Sequence, residues 1–531
     1  MTARVVVADR LAEGGLKMLA ESPEVEVVNV AGKPREELLQ ALAGAQALIV
    51  RSETRVTPEL MNAGPELKVI ARAGIGVDTI DVTAATRRGI AVMNAPGANT
   101  VSAAEHAFAL LLGLVRRIPW AAESMRKGDW DRKKFEGTEL RGKTIGIVGL
   151  GRIGGHVAGI ARAFGMTVVG HDPYLLPERA AELQVKLLPL DQLLKAADVV
   201  TLHVALTEQT RHLINAERLA SMKKTAVLIN TARGELVDEA ALADAITRKA
   251  IAGAAVDVFS QEPLPADAPL RSLERVILTP HLAASTAEAQ DRVSTEICAA
   301  VRDALLGGDL SMAINVPGIS GDVLRRAAPL LALARRLGRL ALALAEGGGP
   351  VTSVEVDYGG KDEAAARPVL IAALEGLLSG LQLGPVSLVN AQVIAEERGI
   401  RLSRKTSTSE PGYETSVAVV VETAQGRVRV VGAPVGTAGR VIRIDDYMVD
   451  VAPEGWMLVI RNRDVPGVIG RVGTLIGEAG VNVASWHQAR NGVGGQALAA
   501  ITLDHPIGDA VRQRIAALPD IVQVRLAYFG E

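Results

Sequence analysis

At 531 residues, 48% of them apolar but 3% aromatic, the chain is longer than one hydrophobic core usually supports and has the composition of helices packed on buried parallel strands, so several α/β domains of about 100–200 residues are expected. Its 58 Lys and Arg nearly balance 60 Asp and Glu, which leaves no global field to draw in nucleic acid or an anionic membrane, and a small-molecule partner is the default. One cysteine, Cys298, excludes an intrachain disulfide and a cysteine-built metal site, and suits a reducing cytoplasm.

The first residues read as a strand with a charge on either side and not as an export signal. From Val5 to Val92, short β-branched runs (5–8, 25–30, 47–50, 69–71 and 90–92) alternate with helical stretches, which predicts a small parallel-sheet domain. A long helical stretch from Ser102 to Arg126 leads away from it, and Gly142 opens a second, more regular series of strand–helix units that ends near 278–284. An amphipathic helix over 287–306 and a turn-rich stretch containing Asn315-Val316-Pro317-Gly318 predict a boundary. Beyond lie an Ala/Leu/Arg-rich helix (322–346), a glycine-proline breaker at 347–350, short strands up to about Ala452, and a last unit from Gly455. The most apolar stretches, 108–115 and 330–345, fall short of a membrane span, which needs about 18 uninterrupted apolar residues.

Lys143 to Val148 is a β-branched strand that runs into Gly149-Leu150-Gly151-Arg152-Ile153-Gly154, with helix formers following through Ala163. In that context each glycine has a task in holding a dinucleotide: Gly149 for the tight turn, Gly151 for backbone approach to a pyrophosphate, Gly154 for close helix-to-strand packing. The next strand, Thr167 to His171, is followed by Asp172, at the spacing of a carboxylate that binds the adenosine ribose hydroxyls and repels a ribose phosphate. NAD is therefore expected over NADP, with Arg179 the neighbour that would soften the discrimination.

Three further segments follow predicted strands, where open α/β sheets bind ligands: Asn230-Thr231-Ala232-Arg233, Gln261-Glu262-Pro263, and Thr279-Pro280-His281-Leu282-Ala283-Ala284. Oxidising a 2-hydroxy acid needs a proton acceptor, a cation for the carboxylate, and a positioned nicotinamide. His281 suits the first, with Glu262 to orient it and compensate its charge; Arg233 suits the second; Asp257 lies at the same edge, within reach of the nicotinamide carboxamide. His106, His156, His171, His203, His212, His487 and His505 form no metal-ligand pattern and read as structural or solvated, so no metal is expected.

These motifs, in this order, resemble those of the D-isomer-specific 2-hydroxyacid dehydrogenases over residues 1 to about 315. The resemblance implies two Rossmann-like doubly wound domains, a substrate domain from 1–98 and 286–315 and an NAD-binding domain inserted at 99–285. It implies catalytic roles for Arg233, Glu262 and His281, and cofactor contacts at Arg233 and His281 as well as at Ile75, Arg152, Ile153, Asp172, Val204, Thr231, Ala232, Asp257, Leu282, Ala283 and Ala284. Ala205 stands where members often have proline, which implies a less rigid loop beside the adenosine. Arg51-Ser52, the loop Arg72 to Asp78 with Gly74 and Ile75, and the segment Asn94 to Asn99 resemble the substrate loops of members that oxidise 3-phosphoglycerate, with Arg51 and Arg72 the candidates for the phosphate. Members that reduce glyoxylate or hydroxypyruvate, and NAD-sensing scaffolds on the same fold, are the alternatives; the long C-terminal half argues against the first and the complete catalytic set against the second.

Residues 317–454 resemble, by position and length, the α+β intervening domain of the long members, and 455–531 resemble an α+β ACT domain, which binds amino acids at pairwise interfaces. The resemblance implies L-serine as effector, with Asp464 for its ammonium, Asn482 and Asn462 for its polar groups, and the helix start after Gly467 for its carboxylate. A homodimer or homotetramer follows from a domain that works in pairs. The basic residues Arg401, Arg404, Lys405, Arg440 and Arg443 read as a solvated face, with anion binding the alternative.

Overall fold

A computed structural model describes residues 2–316, 319, 321–381, 386–436 and 439–530. Pro317 and Gly318 of the expected boundary turn, and with them the start of the 317–454 unit, lie outside the described residues.

The first sheet contains β1 (Ala3–Val7), β2 (Val25–Asn29), β3 (Ala47–Val50), β4 (Val69–Arg72) and β5 (Ala91–Asn94), all parallel, in the order β2-β1-β3-β4-β5. Val5, Val6, Val7, Leu48, Ile49 and Val50 are completely buried, as expected of strands covered on both faces by helices. The order reverses between β1 and β3, and their carboxyl ends open a crevice there. The helix Ala287–Gly307 returns to this sheet from a point far along the chain. It packs on the helix Glu13–Ala20, where a side chain on Gly15 would sit 2.4 Å from the Ser294 carbonyl oxygen.

The second sheet contains β6 (Thr144–Val148), β7 (Thr167–His171), β8 (Lys186–Leu187), β9 (Val199–Leu202), β10 (Val227–Asn230), β11 (Gly253–Val256) and β12 (Val276–Leu278), again parallel, in the order β12-β11-β10-β9-β6-β7-β8. Its reversal lies between β6 and β9, which places the glycine turn beside the loop that follows β9.

The helix expected over Ser102 to Arg126 is two helices, Thr100–Val115 and Ile118–Arg126, separated at Arg117, which takes the left-handed conformation at φ 55°. Pro119 supplies the reason, since it lacks an N–H to continue an α ladder but fits the first turn of a new helix.

The third sheet has β13 (Val351–Gly359), β14 (Arg401–Ser407), β15 (Ser416–Thr423), β16 (Gly426–Ala433), β17 (Arg440–Ile444) and β18 (Tyr447–Val451), ordered β14-β13-β15-β16-β17-β18; β13 and β14 are parallel and the other neighbours antiparallel. The helices Gly321–Ala345 and Ala366–Ser379 meet through glycines, a Cβ on Gly338 falling 2.0 Å from the Ala373 carbonyl oxygen and one on Gly376 falling 1.9 Å from that of Arg335. This unit touches the first domain where Arg87 Nε donates to Glu397 at 2.7 Å and buried Asn390 donates to the Arg87 carbonyl at 3.3 Å.

The last sheet is antiparallel between neighbours, with β19 (Trp456–Arg463), β20 (Val483–Arg490), β21 (Gln496–Leu503) and β22 (Ile521–Tyr528) in the order β20-β21-β19-β22. The helices Val468–Glu478 and Asp509–Ala516 connect its strands. Among the described residues no helix is long and apolar enough to cross a membrane.

Candidate active site

The carboxyl ends of β6 and β9 build a nucleotide cradle. Gly149 has φ 90°, a backbone conformation glycine adopts without steric cost, and a Cβ there would sit 2.5 Å from the His203 carbonyl oxygen. Gly154 is equally closed, its Cβ position lying 1.9 Å from the Gly149 oxygen, whereas the space beside Gly151 is open. Gly151 precedes the helix Arg152–Ala163, so the open position adjoins the unpaired N–H groups of a helix start. Asp172 is tied to this turn: its carboxylate accepts from the Leu150 N–H at 2.9 Å and from the Tyr174 N–H at 3.0 Å. Arg179 is engaged elsewhere, with Glu182 at 2.5 Å.

In place of proline at Ala205, a threonine closes the next loop, Thr210 Oγ1 donating to the Ala205 carbonyl at 2.8 Å. On the same sheet edge, the buried Thr231 hydroxyl has no hydrogen-bond partner. An open glycine at a helix start, an acid beside it and an orphaned hydroxyl fit a bound dinucleotide.

Beyond β11 and β12 the chain brings Glu262 and His281 together, with His281 Nδ1 donating to Glu262 Oε2 at 2.8 Å. The Phe259 N–H donates to the other Glu262 oxygen at 3.0 Å. Burial acts to raise the Glu262 pKa, but the hydrogen bonds from His281 and Phe259 outweigh it and hold the carboxyl below its usual range. The pair faces solvent, with 46% of the His281 side chain and 38% of Glu262 exposed.

His281 itself has φ 54°, uncommon for a residue with a side chain, and its N–H donates to the carbonyls of Asp257 at 2.9 Å and Thr279 at 3.0 Å. The Asp257 carboxylate accepts from the N–H groups of Leu282 at 2.8 Å and Ala283 at 3.0 Å and from the Thr279 hydroxyl at 2.6 Å. Ser102 Oγ donates to the Ala283 carbonyl at 2.8 Å and Gln290 to that of Ala284 at 2.6 Å, so this turn is fixed from several sides. Asp257, expected at the nicotinamide carboxamide, is 0% exposed, and the one described donor to its Oδ2 is Ala283.

Arg233 lies across the cleft between the two sheets. Asn230 folds the preceding turn, its amide donating to the Arg233 carbonyl at 2.8 Å and its oxygen accepting from the Ala232 N–H at 3.1 Å. The guanidinium donates from Nε to Asp78 at 2.9 Å and lies over Gly76, where a Cβ would be 1.6 Å from Nη2. Arg72 packs likewise over Gly74, and Asn94 braces the intervening loop by donating to the Ile75 carbonyl at 2.6 Å.

Burial first, then the nearby charge of Arg233, lowers the Arg72 pKa to about 10, with Arg51 adding to the repulsion and Asp78 and Asp9 opposing it. Arg51 follows β3 at the strand-order reversal, where buried Asp9, following β1, accepts from its N–H at 2.5 Å and from the Thr54 hydroxyl at 2.5 Å. Ser52 is exposed next to it, while the Asn99 Oδ1 is buried without a partner at the start of the helix Thr100–Val115. Asp78 and Asn94 lie in the loops expected to meet the substrate, though their partners were not foreseen; Asp9, Ser102 and Gln290 were not identifiable as site residues from the sequence, and for Asp9 the signal available was an acid immediately after the first strand run.

The three expected effector residues are not brought together within one chain. Asn462 lies opposite Ala497 on β21, its amide donating to the Arg463 carbonyl at 2.7 Å, and Asp464 just beyond it pairs with Arg490 at 3.3 Å. Asn482 instead adjoins the far end of β21, donating to Asp504 at 2.8 Å, because β20 runs parallel to β19 and starts where β19 starts. The separation along the sheet is roughly 20 Å at about 3.3 Å per residue. Of the basic residues in the third sheet, Lys405, Arg440 and Arg443 are paired with Glu355, Asp450 and Glu410 at 2.8, 2.6 and 3.2 Å.

Residues 108–283 match the D-isomer specific 2-hydroxyacid dehydrogenase NAD binding domain, and curated relatives align along nearly the whole length at about 40% identity. The chain belongs to the D-isomer-specific 2-hydroxyacid dehydrogenases, a family of NAD-binding oxidoreductases. Its C-terminal half narrows this further, since residues 326–445 match the D-3-phosphoglycerate dehydrogenase intervening domain and 456–520 the ACT domain. The D-3-phosphoglycerate dehydrogenase of Synechocystis sp. is 42% identical over 530 residues, 99% of this chain and 95% of that protein. That of Methanocaldococcus jannaschii is 42% identical over 524 residues, 98% and 99% of the two chains. Among solved structures, D-lactate dehydrogenase from Aquifex aeolicus, complexed with NAD and lactic acid, aligns at 32% identity and TM-score 0.51, over 58% of this chain and 97% of that one. The TT0316 protein from Thermus thermophilus aligns at 40% identity and TM-score 0.54, over 59% and 99%.

Proposed function

We propose that the chain oxidises D-3-phosphoglycerate to 3-phosphooxypyruvate with NAD, the first step of L-serine biosynthesis, under feedback from L-serine at its ACT domain. The observation that carries this reading is the pairing of His281 with Glu262 at 2.8 Å on the same sheet edge as Arg233, whose charge meets those of Arg72 and Arg51 from the first domain. A phosphorylated hydroxy acid carries two anionic groups, and three guanidiniums partly offset by Asp78 and Asp9 answer that charge.

His281 donates through Nδ1 to Glu262, so its Nε2 is left to accept the C2 hydroxyl proton. Glu262, ionised and fixed by the Phe259 N–H, compensates the imidazolium that results. Arg233 binds the carboxylate and polarises the developing carbonyl, while Arg72 and Arg51 hold the phosphate. Bound NAD supplies the acceptor for the C2 hydride. Gly149, Gly151, Gly154, Asp172 and Thr231 would hold its phosphate and ribose end, and the turn at 281–284 would meet its nicotinamide end. The same reading makes the enzyme a cytoplasmic homodimer or homotetramer.

The test is NADH formation from D-3-phosphoglycerate and NAD, with D-glycerate and D-2-hydroxyglutarate as comparison substrates, each with and without L-serine. Turnover of the phosphorylated acid at a kcat/KM at least about a hundredfold above D-glycerate, suppressed by serine, is expected. Turnover confined to an unphosphorylated acid would leave the chemistry standing and overturn the substrate.

A further inference from the structure

The carboxylate of Asp257 is completely buried, and beside its three donors from the 279–283 turn it meets a group from elsewhere in the chain. His106, in the second turn of the helix Thr100–Val115, brings Nε2 to 3.1 Å from Asp257 Oδ1 and 3.4 Å from Thr279 Oγ1. The Thr279 hydroxyl spends its single proton on Asp257 at 2.6 Å, so toward His106 it can act only as an acceptor. Both neighbours of Nε2 are therefore acceptors, and Nε2 carries a hydrogen whichever form the other ring nitrogen takes.

We propose that His106 is a positioning residue for catalysis: through Asp257 it holds the turn that presents His281 to the substrate. The inference rests on the assignment of His281 as proton acceptor. The turn needs such support because His281 sits at φ 54°; Ser102 and Gln290 hold its far end at Ala283 and Ala284, whereas at His281 itself the contacts gather on Asp257, whose backbone carbonyl takes the His281 N–H while its side chain takes those of Leu282 and Ala283. A buried carboxylate keeps such a geometry only while its own charge is satisfied. His106 is the one described donor to that side chain from outside the turn, so, beside the direct bond from Ser102 to the Ala283 carbonyl, it ties Asp257 to the helix Thr100–Val115. Its described partners are Asp257 and Thr279, and none is Arg233, Glu262 or His281, so it acts through Asp257 and not on the reacting atoms.

Two substitutions separate this role from simple filling of space. Glutamine places an amide N–H near the position of Nε2, whereas asparagine reaches only to that of Nδ1. In the full-length enzyme, kcat is measured for His106→Gln and His106→Asn on whichever 2-hydroxy acid the unmodified enzyme oxidises fastest, with NADH affinity read by fluorescence. A wrong substrate assignment then shows in the unmodified enzyme, and a wrong role for His106 shows in the ratio between the variants. His106→Gln should stay within about threefold of the unmodified kcat, and His106→Asn should fall at least about tenfold in kcat, with any loss of NADH affinity smaller than the loss of kcat. Equal kcat in the two variants, or a loss confined to NADH affinity, overturns the proposal. Should His106→Asn fail to fold, His106→Gln decides alone: retention of kcat supports the role, and a tenfold loss in folded protein overturns it.

Discussion

Arg72 carries a charge where the fold disfavours it. Burial and the neighbouring Arg233 bring its pKa down to about 10, and its Nε is buried without a hydrogen-bond partner. Because the folded value lies below that of an ordinary arginine, the protonated side chain costs stability at every pH below about 10, and the cost falls as pH rises through that value. Under the proposed function, a bound substrate phosphate would offset that cost. Arg72→Met should therefore raise KM for D-3-phosphoglycerate by at least about tenfold while leaving the Tm of the ligand-free protein unchanged or higher, read by steady-state kinetics and thermal melting. A lowered Tm with KM unaltered would make Arg72 a structural residue. Arg233, Glu262 and His281 were legible in the sequence because each follows a recognisable strand within a few residues. Asp9 was not, and for Asp78 and Asn94 only the loops and not the contacts were, since the partners Arg51, Arg233 and Ile75 are set beside these three by strand order and by the packing of the two domains, which no local spacing reports.

At the scale of elements, the three glycines of the β6 turn look alike in sequence and differ in space. Gly154 has a carbonyl 1.9 Å from where its Cβ would fall, and Gly149 combines φ 90° with a carbonyl at 2.5 Å, whereas Gly151 has open space. Gly154→Ala should lower stability by about 1–3 kcal/mol through overpacking between helix and strand. Gly151→Ala should leave Tm within about 1 °C, because nothing in the ligand-free protein meets the new methyl group, yet weaken NAD binding at least about tenfold by standing where the pyrophosphate approaches. Thermal melts paired with NADH titrations check both, and equal losses of Tm would mean that the glycines share one packing role. The packing tasks of Gly149 and Gly154 could be read beforehand because strand, turn and helix are contiguous. The break at Arg117 was also present in the sequence, as Ile118-Pro119, but apolar periodicity through Ser102 to Arg126 masked it.

Over the whole molecule, the succession of two parallel-sheet units, an intervening unit and an ACT unit could be followed along the chain from motifs and turn-rich stretches. What the chain order concealed is that Asn482 and Asp464, 18 positions apart in sequence, lie at opposite ends of the last sheet. One serine cannot bridge roughly 20 Å, so if both residues bind the effector they must do so from two copies of the chain, whose isologous pairing would set the start of one sheet beside the end of another. That arrangement has a consequence single variants cannot show. Asn482→Ala and Asp464→Ala should each abolish the serine response while keeping uninhibited turnover near normal. In a hybrid dimer formed by mixing the two, one site would combine the intact Asn482 of one chain with the intact Asp464 of the other, while the second site would lack both. Remixing after mild dissociation should therefore restore serine inhibition to a fraction of the enzyme that rises with the proportion of hybrids, as followed by activity in serine titrations. If every mixture stayed as unresponsive as its components, the two residues would not belong to a shared intersubunit site, and the search for the serine contacts would return to one end of the sheet.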